Sequence, residues 1–443
     1  MMAALIRFSI KYPGVIIGFA LLILMYGSFK IKQSPLNVFP EFSPTQVIIQ
    51  TEAPGFSTDL VETLISKPIE NVISGTIGIE QIRSQSIPGL SVVTVIFDDD
   101  SNILMNRQLI SEKLTTLAKL LPNSITPIIT PLTSSASSVL GIGLTSEIKN
   151  LSELRTIAET VIIPQLMSVP GVADVNRFGG LVKQFHIEID PKKLYQHQIT
   201  IKQILDSIKR SSSVQGSGYI ENDNQRIIIN AEGQTKTIEE LSFVPVININ
   251  NKTFRVKDVA IVKHGYAPSI SAVSINGEPG VYLSIQGQLG SDSYKLTQQL
   301  DESLDSILPV LNKQDIKLFP ELFKPANFID ASIAGLKFDI LIGAVLVISI
   351  LYLFLYNLKT AFISAVAIPL SLMSAISVMN YFNIGLNVMV LSGLAIALGE
   401  VVDDAIIDVE NIFRRLRQNN LKSNPTPSYI VVFDASMEIR KSV

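Results

Sequence analysis

Apolar residues gather into four charge-poor stretches, Val15 to Phe29, Ile340 to Tyr356, Ala361 to Phe382 and Leu386 to Leu398, while Lys30 to Asp339 has ordinary polarity. At 1.5 Å rise per residue a membrane crossing takes about 20 apolar residues, with about 17 as the lower limit. Two stretches reach that length and two do so only with their flanks. The pattern therefore predicts four transmembrane helices around one large watery region. Arg7 and Lys11 give the first stretch the lead-in of a signal peptide. However, Lys30-Ile31-Lys32 follows where a small-residue cleavage site would stand, which favours an uncleaved helix. Arg7 and Lys11, Lys359, and Arg414, Arg415, Arg417 and Lys422 lie at alternate span ends, whereas the Asn383-Ile384-Gly385 turn is uncharged. By the positive-inside rule the basic segments are cytoplasmic and Lys30 to Asp339 lies across the membrane.

Within that region the period switches between two and 3.6. Thr45 to Thr51 reads as a strand, Ser57 to Ile73 as a helix, Ile79 to Ser86 and Leu90 to Phe97 as strands, Asn102 to Leu120 as a helix, and Ile125 to Thr130 as a closing strand. This is a βαββαβ unit. The order restarts with Ser138 to Thr145, the helix Leu151 to Ser168 and the strand Gly171 to Phe178. It resumes only at Pro268 to Ile275, Val281 to Gln286 and the helix Ser291 to Ile307. Pro88-Gly89 and Pro170-Gly171 punctuate the halves as turn residues do. The piece between, about Gly179 to Ala267, has its own strands at Phe185 to Ile189 and Gln225 to Ala231, and is expected to be a separate small α+β domain inserted into the second unit.

Composition narrows the chemistry. Charged residues make up 17% of the 443 positions, below the roughly 25% of soluble domains, and mean hydropathy is +0.37. A net charge of −3 argues against nucleic acid as a partner. There is no cysteine, hence no disulfide and no thiolate metal site.

The fourth apolar stretch runs into Gly399-Glu400-Val401-Val402-Asp403-Asp404-Ala405-Ile406-Ile407-Asp408-Val409-Glu410-Asn411. A carboxylate at bilayer depth costs about 3 kcal/mol or more, so such groups mark function by default. At about 100° per residue, Glu400, Asp403, Asp404 and Asp408 fall within roughly 140° of arc, with apolar residues opposite. From Asp404 to Arg414 is about 15 Å of helix, which places the acids about halfway into a ~30 Å core. Burial and crowding by a second carboxylate both favour the protonated form of a carboxyl group, the requirement for a proton relay. The alternative is a helix that leaves the membrane at Glu400 with its acids solvated.

Other chemistry is sparse. His186, His197 and His264 lack ligand spacing. Met373, Met379 and Met389 lie on the third and fourth spans and are weak candidates for a soft-metal path, with packing the commoner use. Pro369 is expected to kink the third span. Neither a Walker loop nor a nucleophile-base pair is present, so the chain reads as no enzyme, and nothing calls for a cofactor.

Several stretches, Ser34-Pro35-Leu36-Asn37-Val38-Phe39-Pro40-Glu41-Phe42-Ser43-Pro44, Thr51-Glu52-Ala53-Pro54-Gly55, Lys67-Pro68-Ile69-Glu70, Val402-Asp403-Asp404-Ala405 and Val409-Glu410-Asn411, give the chain a further identity. It resembles the N-terminal portion of the resistance-nodulation-division (RND) exporters, most closely their heavy-metal efflux branch. The resemblance implies an α+β membrane protein with ferredoxin-like porter subdomains and an inserted docking subdomain. It divides the chain into a cytoplasmic N-terminus and first span (1–32), a first porter subdomain (33–131), a split second one (132–178 and 268–328) and a docking subdomain (179–267). Three further spans follow (338–357, 360–382, and 385–413 with the acidic relay), then a cytoplasmic segment (414–443).

The resemblance also implies a multi-pass inner-membrane homotrimer with its large region in the periplasm, working with a periplasmic adaptor and an outer-membrane channel. The family's proton carrier matches Asp403 or Asp404. Asp403 is the position that the metal branch retains, whereas Asp404 looks more like the drug branch. Glu400 and Asp408 depart from both patterns, and Glu410 matches a glutamate at the cytoplasmic helix end. No basic residue lies within the four spans, and the family's counter-charge, a lysine, belongs to its second half. The chain ends where the family begins a fifth span, so a fragment, a split gene's first half or a pseudogene product is expected. Proton-driven export of heavy-metal cations is the leading expectation, with export of organic compounds or a non-transporting scaffold as alternatives.

Overall fold

The computed structural model describes residues 2–439 except 32–33, 35, 39, 42, 118–120, 123–124, 214–218, 223–224, 229–233, 250–251, 270, 356–357, 383 and 423. Helices α1 (Met2–Lys11) and α2 (Pro13–Ile31) open the chain, and a two-residue strand β1 (Leu36–Asn37) follows. A first α/β unit then runs through β2 (Gln46–Glu52), α3 (Thr58–Val61), a π turn at Glu62–Ser66, α4 (Lys67–Ile73), β3 (Ile79–Ile87), β4 (Leu90–Phe97), α5 (Ile103–Leu117) and β5 (Ile128–Ile129). A second unit begins with β6 (Thr133–Thr145), α6 (Leu151–Ile157), a π turn at Ala158–Ile162, α7 (Ile163–Met167) and β7 (Val172–Gly179).

Inserted next are β8 (Lys183–Ile189), α8 (Pro191–His197), α9 (Ile201–Ser212), β9 (Tyr219–Asn222), β10 (Gln225–Ile228), α10 (Ile238–Ser242), β11 (Pro245–Ile249), β12 (Lys252–Arg255), α11 (Val256–Val259) and β13 (Ala260–Tyr266). A small hairpin, β14 (Ser274–Ile275) with β15 (Glu278–Pro279), leads back to the second unit's β16 (Val281–Gln288), α12 (Ser293–Lys313) and β17 (Lys317–Phe323). The chain closes with α13 (Ala326–Leu355), α14 (Leu358–Tyr381), β18 (Leu386–Asn387), α15 (Val388–Asn420) and α16 (Ser428–Ile439).

The two units share one plan. Their antiparallel sheets run β3-β4-β2-β5 and β7-β16-β6-β17, so corresponding strands hold corresponding places. In each sheet alternate residues turn inward to a core capped by two helices. Val47, Ile49, Val93, Val95 and Phe97 meet Ile65, Ile69, Ile110 and Leu114 in the first. Leu140, Ile142, Leu144, Leu283 and Ile285 meet Leu154, Ile162, Leu300 and Leu304 in the second. The leading helices even share an irregularity. Pro68 and Pro164 have no N–H to give, and the residues before them, Lys67 and Ile163, donate five residues back, to Glu62 and Ala158.

Asn150 caps α6 by accepting from Ser152 and Glu153 N–H, while the Glu153 carboxylate takes Asn150's own N–H. Asn150→Ala is expected to lower the unfolding free energy by about 1 kcal/mol, read as a lower thermal midpoint, with Asn150→Asp close to the native protein.

The elements depart from expectation at instructive places. Among the described residues of the expected strand Pro268 to Ile275, only Ser274–Ile275 pair, with β15, while β16 is flanked by β6 and β7. The expected closing strand Ile125 to Thr130 is reduced to Ile128–Ile129. An additional strand, β17, closes the second sheet despite Pro320 in its middle. It is an edge strand, where a missing N–H is tolerated. Of the expected strand Gln225 to Ala231, residues 229–231 lie outside the described residues.

Among the described residues, Pro13–Ile31 and Phe362–Tyr381 are long and apolar enough to cross a membrane. Helix α13 begins well before its apolar run and carries Asp330, Lys337 and Asp339. Its 30 residues reach about 45 Å, longer than a ~30 Å hydrocarbon core. Helix α14 continues through Pro369 and packs closely on α2, where a Cβ at Gly27 would meet Met373 Cβ at 2.8 Å. Helices α1 and α16 meet through Arg7 over the Phe433 ring, 5.0 Å away.

Candidate functional site

All five candidate relay acids lie on α15, a continuous helix of 33 residues. Asn387 starts it by accepting the Val390 N–H at 2.9 Å. Glu400, Asp404 and Asp408 follow at intervals of four and share one face. Glu400, Asp404 and Glu410 are exposed and Asp408 is half-buried. Asp403 occupies a helical position on the same face, and its side chain lies outside the described residues.

Asn411 continues that face one turn further and is buried. Its Nδ2 donates to the Ala435 carbonyl of α16 at 3.0 Å, and its Oδ1 accepts from Arg414 Nη2 at 2.9 Å. Arg415 pairs with Glu438, and this guanidinium, helped by the Asn411 amide, holds the Glu438 carboxyl below the usual range. Asn419 closes the turn through Thr426 N–H and carbonyl at 3.0 and 2.8 Å. The C-terminal end of the acidic face is thereby clasped by α16. Sequence spacing gave Asn411 no role, since its partner carbonyl is 24 residues away.

Met373 and Met379 are six residues apart on α14 and so point to different sides. Met373 packs at Gly27 and receives Ser28 Oγ at 3.9 Å from its sulfur, while Met389, at the start of α15, is exposed. Among the described residues no three of His, Cys, Asp and Glu come together as metal ligands. His264 stacks on Phe185 at 5.5 Å and His197 packs on Phe254 at 4.5 Å, both within the insertion.

At the other end of α15 the long helices join the second α/β unit. Strands β1 and β18 pair in parallel, Leu36 with Leu386 and Asn37 with Asn387. Tyr294 at the start of α12 donates to Asp330 of α13 at 2.7 Å, which raises the phenol's pKa. Lys324, just before α13, bridges Asp301 of α12 and Glu321, each at 2.9 Å. Burial works against the ammonium, yet the two carboxylates outweigh it and the pKa lies above the ordinary lysine value.

Residues 5–443 match the AcrB/AcrD/AcrF family. Protein HelA of Legionella pneumophila is 32% identical over 94% of this chain and 40% of its own length. The cobalt-zinc-cadmium resistance protein CzcA of Cupriavidus metallidurans is 30% identical over 88% and 37%, and the cation efflux system protein CusA of Escherichia coli K12 is 27% identical over 98% and 42%. The crystal structure of a heavy metal efflux pump superimposes with a TM-score of 0.82 at 26% identity, over 99% of this chain and 42% of that one. The chain thus spans about two fifths of the length of these relatives. It belongs to the AcrB/AcrD/AcrF family of RND transporters, and heavy-metal efflux proteins such as CzcA and CusA are among the relatives that it matches.

Proposed function

We propose that this chain forms the N-terminal part of a proton-driven inner-membrane exporter of heavy-metal cations. The observation that carries the reading is the acidic face of α15, set in a chain whose relatives are named for cation efflux and metal resistance. In this reading the two four-stranded units are periplasmic porter subdomains, the insertion is the docking subdomain, and α2, α13, α14 and α15 cross the membrane. Asp403 and Asp404, aided by Glu400 and Asp408, take up protons from one side and release them to the other. Glu410 sits at the cytoplasmic mouth. The change of charge alters the cost of holding the face in lipid, and so biases the helices between two packings. The working assembly is a homotrimer containing the segments that the longer relatives carry, together with a periplasmic adaptor and an outer-membrane channel.

Growth tests this directly. Cells lacking the gene should stop growing at lower zinc, cobalt, copper or silver concentrations than their parent, with dye tolerance unchanged. Sensitisation to dyes without any metal effect would overturn the reading.

A further inference from the structure

The two-residue strand β1 and the residue after it cap two helices that lie far apart in sequence. Asp292 caps α12 in the ordinary way, accepting Lys295 N–H at 2.9 Å. That leaves the N–H of Ser293, the first helical residue, without a partner on its own helix. Asn37 supplies one from 256 residues away, its Oδ1 accepting Ser293 N–H at 3.1 Å and Ser293 Oγ at 2.8 Å. The first helical residue of α15 has the same need. Val388 N–H is taken by the Val38 carbonyl at 3.3 Å, while Asn387 caps Val390 from within.

The strap is itself held. Asn37 pairs with Asn387 across the parallel ladder, and Ser34 Oγ accepts from Asn380 Nδ2 of α14 at 3.4 Å. Val38, Leu386 and Asn387 are buried, while the Asn37–Ser293 bonds are part-buried. Beyond its capped turn, α12 seats Leu296, Leu300 and Leu304 in the core of the second unit.

We propose that Asn37 is a positioning residue which ties the acidic helix to the second α/β unit, so that axial or tilting motion of α15 is passed through β18 and β1 to the start of α12. The proposal rests on the export reading above, because it assigns the direction of the work: protons move α15, and α15 moves the unit. Asn37→Ala frees the Ser293 donor and cuts the tie on the α12 side, while the Val38 carbonyl still caps α15. Asn37→Asp keeps an acceptor oxygen in the same place.

The test uses inverted vesicles from cells expressing the gene from its own locus, with zinc as the probe, together with hydrogen exchange on the purified full chain. Asn37→Ala is expected to slow zinc transport by about tenfold, the effect of losing the two part-buried hydrogen bonds to Ser293, while proton entry persists and the thermal midpoint stays near native. Asn37→Asp restores transport. In exchange, Asn37→Ala should loosen the first turn of α12 by about tenfold and leave that of α15, still capped by the Val38 carbonyl, near native. Native zinc transport in Asn37→Ala, or an equal loss of zinc and proton movement, would overturn the proposal. An unchanged first turn of α12 would do so as well. Vesicles of the native protein that move no protons with zinc would sink the export reading instead, and the exchange result at α12 then decides the tie by itself.

Discussion

Asp403→Asn is expected to abolish zinc-driven proton movement, with a loss of about 100-fold or more, the lower end of what removing a proton-transfer group costs. Asparagine has nearly the shape of aspartate and keeps one acceptor oxygen, but it cannot ionise. Helix α15 should therefore still form, cap at Asn387 and clasp α16 through Asn411. Only the change of charge is removed. The measurement is the relief, on addition of zinc, of the quenching of a pH-sensitive dye in inverted vesicles with an acidified lumen, beside a size-exclusion profile that shows the assembly intact. Glu410→Gln, about two turns beyond Asp403 toward Arg414 and Arg415, should cost far less. Full proton movement in Asp403→Asn would hand the role to Asp404, Glu400 or Asp408, and the Asp404→Asn variant would then locate it.

The face that makes this prediction possible was legible because a helix repeats itself: intervals of three and four bring Glu400, Asp403, Asp404 and Asp408 to one side whatever surrounds them. Strands that alternate were equally plain. Gln46–Glu52 buries every second residue, and Leu90–Phe97 lies where its alternation placed it. What period cannot reveal is competition for partners. Among the described residues of 268–275, which have strand chemistry, only Ser274–Ile275 pair, in a short hairpin with β15, whereas Lys317–Phe323, broken by Pro320, pairs beside β6. Apolar counting sees only the apolar part of a helix, so the polar start of α13 at Ala326 was invisible to it. The contacts that fix α15 at its two ends, Val38 with Val388 and Asn411 with Ala435, depend on neighbours brought in by the fold.

The double glycine at the insertion boundary shows how a short sequence signal becomes a large energetic requirement. Gly179 and Gly180 both have φ near +73°, a conformation that costs an L-residue roughly 1–2 kcal/mol. Here the chain leaves β7 for the insertion while staying against the second unit. The Gly179 carbonyl accepts from Arg155 Nη1 at 2.8 Å and its N–H donates to Ser271 Oγ at 3.0 Å. A Cβ on Gly179 would lie 2.7 Å from the Gly280 carbonyl oxygen and 2.9 Å from Val273 Cβ. The first of these is backbone next to the central strand β16, so it cannot swing aside as a side chain would. Overpacking of this kind adds about 1–3 kcal/mol. Gly179→Ala is therefore expected to destabilise the second unit by about 3 kcal/mol in all, a larger effect than any cap in that unit. Thermal unfolding of the purified chain followed by circular dichroism checks it, with Gly277→Ala as a control, since a Cβ there meets nothing within 4 Å at a similar φ of +89°. The control isolates the backbone strain, and a Gly179→Ala midpoint no lower than that of Gly277→Ala would mean that the exit from β7 is not packed as described.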